Sequence, residues 1–395
     1  MIVHRRRPGL WVFGVDQHAA QLTWRRLRPG VLRLQVAEAD VLVQVEVEVG
    51  DGPGAVVLEG LPAGRLLTIV ADGPALGHEP IRLLARTLPA LEGEELCRIA
   101  TISDLHLGTR SFGHRGTIRE QPGHADPHPL RCAEAAVDEA LAWGAERLVA
   151  KGDLTNLGEP AQWRAYAGLV HRAGIPVDAV PGNHDHGREG AVGSLLPREA
   201  AAAFGLSIAT PLLVRDLPGL RVVLADTTRE ARHGGTLAPV ADDIVDAAAD
   251  ADRGGGVLVV LHHQLHPPAG LEGWPPGIAH AEAAAFLDRL GAAHPHALVT
   301  SGHTHRHRRW GRAGVVVTQV GATKDYPGVW AGYVVHEGGI RQIVRRIQEP
   351  SCIAWTDHTR IAAYGLWEHA APGRLDARCF ALPWSRPPPD RLTPP

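Results

Sequence analysis

Cysteine is scarce in this chain: Cys97, Cys132, Cys352 and Cys379 are the only four in 395 residues, and none stand in C-x-x-C spacing. That pattern argues against both a thiolate zinc site and a disulfide framework, so the thiols are expected to be reduced and mostly buried. Long hydrophobic runs are also missing. No stretch reaches the ~18 apolar residues that a membrane-spanning helix needs. Near the start, three arginines precede "LWVFGV", but Asp16, Gln17 and His18 interrupt the run at once. It is too short for the apolar region of a signal peptide, which makes a cytoplasmic protein the expectation. Neither sign of charge is in excess. A formal net charge of −3 and a pI near neutral speak against a nucleic-acid footprint over the whole chain. No internal repeat is apparent.

The remainder is the profile of a soluble globular protein, 45% apolar and 21% charged. A length of 395 residues allows two or three domains at roughly 100–200 residues each. Residues 1–95 carry short apolar or alternating segments, such as "DVLVQVEVEV" and "RLLTIVADG", punctuated by Gly, Pro and Asp. They predict an all-β, sandwich-like domain. From 96 to 347 the rhythm changes. Strand-length apolar runs such as "CRIATIS", "GVLVVL" and "HALVTS" alternate with Ala-rich helical stretches such as "LRCAEAAVDEALAWGA". Nearly all-apolar strands alternating with helices predict a layered α/β core with strands buried on both faces. Residues 348–395 form a tail whose first part is apolar enough to pack on the body and whose Pro-rich end is expected to be extended or disordered.

Histidine is abundant, 23 residues, so an H-x-H pair means little by itself. Position is what gives such pairs meaning. Five apolar strands run directly into polar residues of metal-ligand type: Asp104-Leu-His106, Gly152-Asp153-Leu-Thr-Asn156, Gly182-Asn183-His184-Asp185, His262-His263 and Gly302-His303-Thr-His305. In open α/β sheets, ligands bind beyond the carboxyl ends of strands. Carboxylate, imidazole and a neutral amide oxygen, without thiolate, suit divalent Mn, Fe or Zn. Side chains two apart at an extended strand end share a side, which suits D-x-H and H-x-H. Glycines 108, 152, 182 and 302 are expected to let the backbone turn sharply there. Two metals need seven or eight ligands. Asp104, His106, Asp153, Asn183, His262, His303 and His305 supply seven, with Asp153 as the natural bridge.

The blocks D-x-H, G-D-x-x-N, G-N-H-D, a strand-end His and G-H-x-H, in this order over roughly residues 98–345, resemble the calcineurin-like metallophosphoesterase superfamily. "ISDLHLG", "GDLTN", "PGNHD" and "GHTHR" are most similar to its bacterial branch of cyclic-nucleotide and glycerophosphodiester phosphodiesterases. The resemblance implies a β-sandwich core flanked by helices and two divalent metal ions. One metal would take Asp104, His106, Asp153 and His305, and the other Asp153, Asn183, His262 and His303. It further implies a bridging hydroxide as nucleophile, His184 contacting phosphate and protonating the leaving group, and Asp185 orienting His184. For the strand-end ligand the family favours the first histidine, His262, over His263.

The expectation is therefore a metal-dependent phosphodiesterase acting on a small phosphoester. The alternatives are a phosphomonoesterase, a nuclease (disfavoured by net charge) or a scaffold that binds metal without catalysis. Arg306 is the best candidate for substrate contact. The long segment 109–129 reads as a lid or recognition loop with His114 and Arg119 as contacts. Lys324 or Tyr326, in "GATKDYPG", would either border the pocket or sit in a surface turn. His263, His266, His280, His294 and His296 read as solvated. His307, Arg308 and Arg309 read as a solvated turn or as steering charge.

Overall fold

The computed structural model describes residues 9–38, 41–77, 79–187, 193–230, 232–266 and 274–384. The Pro-rich end, residues 385–395, and Pro267 after the His262-His263 pair lie outside the described residues.

Two sheets form the central sandwich. One has seven strands in the order Ser207–Ile208, Val177–Val180, Arg147–Lys151, Glu95–Ile102, Val329–His336, Gly339–Arg346, Phe380–Pro383. The other has six, in the order Leu212–Leu217, Leu220–Ala225, Gly256–Val260, Ala297–Ser301, Val315–Gln319, Arg308–Arg312. The first sheet is parallel from Ser207–Ile208 to Glu95–Ile102 and antiparallel beyond, and the second is parallel from Leu220–Ala225 to Val315–Gln319. Parallel strands need crossovers, and the amphipathic helices His128–Ala142, Pro160–Ala173, Ala241–Ala249 and His280–Ala293 supply them. Both faces of these strands are therefore covered, which is why they read as unbroken apolar runs. Ile99, Val149, Val222, Leu258, Leu298 and Tyr333 meet between the sheets. The Tyr333 hydroxyl donates across the gap to Thr300 Oγ1 (2.9 Å), satisfying a buried polar group.

The N-terminal residues form a three-stranded sheet and a four-stranded antiparallel sheet, packed over Leu22, Leu32, Leu34, Leu58, Leu67 and Ile69. The seven strands include Leu10–Val15, the apolar run that follows the N-terminal arginines, and Ile81–Arg86. The same apolar cluster takes in Ile343 and Cys379 of the central sandwich. The four cysteines are buried and unpaired. Among the described residues no helix is long and apolar enough to cross a membrane.

The histidine-rich stretch departs from expectation after His305. Arg308–Arg312 is an edge strand, antiparallel to Val315–Gln319, rather than a solvated turn. Its half-buried Arg309 sets its guanidinium over the Phe380 ring (4.6 Å), and burial there lowers its pKa. His307 is buried because the C-terminal segment closes over it, with its N–H donating to Ala371 O (3.0 Å). His263 and His294 are buried too, His266 and His296 are half-buried, and only His280 of the set is exposed.

Candidate metal centre

The five strand-end blocks meet on one rim of the sandwich. Ligand-type atoms fall within 4.8 Å of one another in four overlapping groups: Asp104, His106 and His305; His106, Asp153 and His184; Asp104, Asp153 and His262; and His262, His263 and His303. Asp153 stands in the middle, with Oδ2 3.3 Å from His106 Nε2 and Oδ1 3.4 Å from His262 Nε2. Asn183 Oδ1 is 3.3 Å from the same His262 nitrogen. His305 Nε2 lies 3.4 Å from Asp104 Oδ1. All seven residues named as metal ligands in the sequence are thus brought together.

The backbone reaches this arrangement in an uncommon way. Asp104, His106, Asp153, His303 and His305 all have positive φ, between 47° and 66°. Left-handed backbone at a non-glycine residue costs of order 1–3 kcal/mol and gathers at functional sites. Gly108 and Gly152 also have positive φ, as expected of them. Gly182 and Gly302 do not. Gly182 is extended (φ −116°), and what each supplies is room. A Cβ on Gly302 would collide with Ser103 Oγ and Asp104 Oδ2, and one on Gly182 with Asp153.

Hydrogen bonds behind the cluster decide what its inner atoms can do. His262 Nδ1 lies 2.8 Å from Lys151 O, and His303 Nε2 lies 3.0 Å from Pro276 O. A carbonyl only accepts, so each of these outer nitrogens carries a proton. The inner nitrogens, His262 Nε2 and His303 Nδ1, are then both lone-pair bearers in the neutral rings, yet they sit 3.2 Å apart. His305 repeats the pattern: Nδ1 donates to Asp325 Oδ2 (2.6 Å), which turns Nε2 toward the Asp104 carboxylate. Acceptor facing acceptor is reconciled by a proton or by a cation, and a proton is what metal binding displaces. The residues present therefore fit a divalent cation.

The electrostatics agree. Burial works against charge on His262, but Asp153 lifts its imidazole to about 9. Burial likewise opposes Asp325 and Asp104 at His305, and they prevail, raising it to about 10. Against a burial that would raise it, His262, His184 and His106 hold Asp153 well below the usual carboxylate range. His303, with burial dominant and His262 beside it, falls to about 3. Deprotonated carboxylates beside rings that seek a positive partner are what a bound cation would neutralise.

The remaining candidates sit as follows. His184 Nδ1 lies 3.1 Å from Asn156 O, and its ring meets His106 edge-on (4.5 Å). Asp185 does not touch the His184 ring. It accepts from the amides of Leu154, Thr155 and Gly182 at 3.1, 2.7 and 2.8 Å, and so pins two ligand loops together. Burial and the nearby Asp153 raise its pKa to about 6. His263 bonds Thr227 Oγ1 (2.9 Å) and its ring is tilted against that of His303 (4.8 Å), whereas His262 faces Asp153 and Asn183. Arg306 bonds Trp274 O (2.6 Å) and lies over the Trp367 ring (5.7 Å). His114 and Arg119 are both exposed, and neither side chain makes a hydrogen bond or ion pair among the described residues. Phe112 is the residue of that loop that reaches the centre, stacked on His305 at 6.2 Å. Lys324 and Tyr326 are buried, not a surface turn. Between them stands Asp325, which the sequence reading passed over. It lies six residues past the strand Val315–Gln319, whereas Asp104 and Asp153 lie two past theirs.

An α/β sandwich with Asp, Asn and His gathered at its strand ends defines a class, the metallophosphoesterases. The family model for calcineurin-like phosphoesterases matches residues 97–307. The chain belongs to this family of phosphoric ester hydrolases, for which a dinuclear divalent metal centre is implied. No curated protein matches the sequence. Among solved structures, purple acid phosphatase PPD1 from yellow lupin (Lupinus luteus) seeds is 14% identical, with 87% of this chain and 72% of that chain covered and a TM-score of 0.46. PhoD is 10% identical, with 89% of each chain covered and a TM-score of 0.42. A putative 5'-nucleotidase from Staphylococcus aureus is 13% identical, covering 64% and 54%, with a TM-score of 0.42.

Proposed function

We propose that this protein is a metal-dependent phosphodiesterase of the bacterial cyclic-nucleotide and glycerophosphodiester branch. The observation that carries the metal site is the facing pair of His262 Nε2 and His303 Nδ1, which a cation reconciles. The four motif blocks similar to that branch support the diesterase reading. Asp104, His106, Asp153 and His305 would hold one ion, and Asp153, Asn183, His262 and His303 the other. When bound, the two ions, Mn, Fe or Zn, supply Lewis acidity toward phosphate oxygens and make water acidic enough to attack at neutral pH.

The chain's own residues do the rest. Asn156 O holds the proton of His184 on Nδ1, which leaves Nε2 to carry and deliver a second proton. His184 is the general acid that protonates the departing alkoxide, yielding an alcohol and a phosphate monoester. Asp185 acts at one remove, fixing the loops that carry Asp153 and His184. Arg306, held over Trp367, is the candidate for substrate contact, and Phe112 walls the site beside His305. The chain is further proposed to divide into a β-sandwich-like domain at 1–95, the catalytic domain at 96–347 and a tail at 348–395.

Turnover of bis-p-nitrophenyl phosphate against p-nitrophenyl phosphate, with added manganese, tests this reading. A higher kcat/KM for the diester is expected. Preference for the monoester would make the protein a phosphomonoesterase, and no turnover of either would leave a metal-binding scaffold.

A further inference from the structure

The segment after residue 347 supplies no proposed ligand, yet one of its helices, Pro350–Thr359, is bonded to the loop that carries Asp325. Pro350 opens the helix and the Glu349 carboxylate caps it, accepting from Cys352 N–H (2.7 Å). Trp355, Thr356 and Thr359 are buried against the body. Two hydrogen bonds join helix and loop. Trp355 Nε1 donates to Lys324 O (2.8 Å). Thr359 Oγ1 accepts from Tyr326 N–H (2.8 Å) and donates to Thr356 O (2.7 Å).

These two bonds bracket one residue. Lys324 O and Tyr326 N belong to the two peptide units that meet at the Asp325 Cα. Peptide units are planar, so holding both leaves Asp325 without a free backbone torsion and sets the direction of its side chain. The carboxylate depends on that direction. It is fully buried, and Oδ2 accepts from His305 Nδ1 (2.6 Å) and from Lys324 Nζ (3.4 Å), while Oδ1 has no hydrogen-bond partner among the described residues. A carboxylate can accept at both oxygens, so one bonded through Oδ2 alone takes its orientation from the chain that carries it. The ends of the loop are tied elsewhere: Thr323 N–H donates to Ser103 O (3.0 Å), and Arg346 Nε donates to Pro327 O (2.9 Å). Trp355 and Thr359 act between those ties.

We propose that helix Pro350–Thr359 is a positioning element of the metal centre: Trp355 and Thr359 hold Asp325, and Asp325 aims His305 Nε2 at the ion. The proposal rests on the reading of His305 as a metal ligand. It gives the C-terminal segment a part in metal binding without a ligand of its own, and makes Trp355 and Thr359 positioning residues that act at two removes from the ion.

Trp355→Phe keeps a ring to stack on His128 (3.9 Å) and loses the N–H, and Thr359→Val keeps the shape and loses the hydroxyl. Manganese titrated calorimetrically into the chelated full chain should bind about threefold to tenfold more weakly to each variant than to wild type, the worth of one hydrogen bond. Thr359→Ser, which retains a hydroxyl, should bind as wild type does. In an Asp325→Ala background neither substitution should cost further affinity, because the residue they act through is gone. A helix that only packs would cost the same in both backgrounds. A second readout needs no metal. In the chelated chain with isotope-labelled histidine, the His305 Nδ1–H resonance, identified by its loss in Asp325→Ala, should shift upfield or broaden in Trp355→Phe and Thr359→Val. Unchanged manganese affinity, an unmoved resonance or equal losses in the two backgrounds would each overturn the proposal. Wild type that takes up no manganese would instead overturn the metal reading, with the resonance still deciding whether the helix places Asp325. If Trp355→Phe melts at a markedly lower temperature, Thr359→Val and Thr359→Ser carry the test.

Discussion

His305 Nδ1 lies 2.6 Å from Oδ2 of the fully buried Asp325. A carboxylate behind a metal-facing histidine fixes its tautomer, aims its ring and makes it a stronger ligand. Asp325→Ala should therefore lower manganese affinity by about 10–100-fold, the range typical of such partners. Metal titration followed by elemental analysis checks this, and unchanged affinity would reduce Asp325 to a packing residue.

Asp153 lies between His106 (3.3 Å) and His262 (3.4 Å), one from each set of proposed ligands. Asp153→Ala should strip metal from both and abolish turnover, and Asp104→Ala should do nearly the same. Chelation of the wild type should mimic both variants, with activity restored by manganese. Wild-type rates surviving either substitution would sink the scheme.

The proposed role of His184 as general acid is tested through the leaving group. His184→Ala should cut kcat by ~10²–10⁴ for substrates with an alkyl leaving group. For p-nitrophenyl esters, whose leaving group needs little protonation, the loss should be much smaller. Metal content should be unchanged, which separates a lost acid from a lost ligand.

Proton linkage gives a fourth test. His262 and His305 have pKa values lifted to about 9 and about 10, from an ordinary value of 6.5. Both protons must leave before the inner nitrogens can bind metal, so apparent manganese affinity should rise with pH and level off above this range. In the chelated protein the sign reverses for stability. Groups with raised folded-state pKa stabilise the fold fully below about 6.5, and that contribution is lost as pH rises through about 9–10. Calorimetry in buffers of different ionisation enthalpy should register proton release on manganese binding near pH 8. No proton release would contradict the linkage.

Gly302→Ala tests close approach. The added methyl would meet Ser103 Oγ and Asp104 Oδ2, so metal affinity and thermal stability should both fall, by at least about 1–3 kcal/mol in stability. Gly108→Ala, where the difficulty is φ at +102° as well as Gln162 at 2.5 Å, should be at least as damaging. A wild-type melt for Gly302→Ala would show that the strand-end loops give way more easily than their packing suggests.

The strand-end blocks were legible because a buried parallel strand leaves a plain mark, an apolar run stopped by polar residues. That was enough to name Asp104, Asp153, Asn183, His106, His262, His303 and His305, which the structure brings together. The residues behind the ligands were not legible, because their roles are carried by backbone carbonyls at Lys151, Asn156 and Pro276, and a carbonyl has no residue type. Asp325 was not legible because a six-residue excursion separates it from the end of its strand, Val315–Gln319. His307 and Arg308–Arg312 misled because a polar edge strand, packed by arginine stems under a C-terminal segment, has the composition of a turn.

The left-handed backbone of the metal cluster carries a consequence for how this protein can vary. Aspartate, asparagine and histidine are several-fold enriched among the non-glycine residues found at such φ values. They are also the side chains that hold hard and borderline divalent ions. At Asp104, His106, Asp153, His303 and His305 conformation and chemistry therefore select from the same short set of amino acids. A drift to valine or isoleucine would be rejected twice, once for the missing donor and once for the shape of the chain. The centre is tied to the fold at the level of main-chain geometry, so variants that keep the fold but lose the metal should retain these residue types for longer than catalysis alone would require.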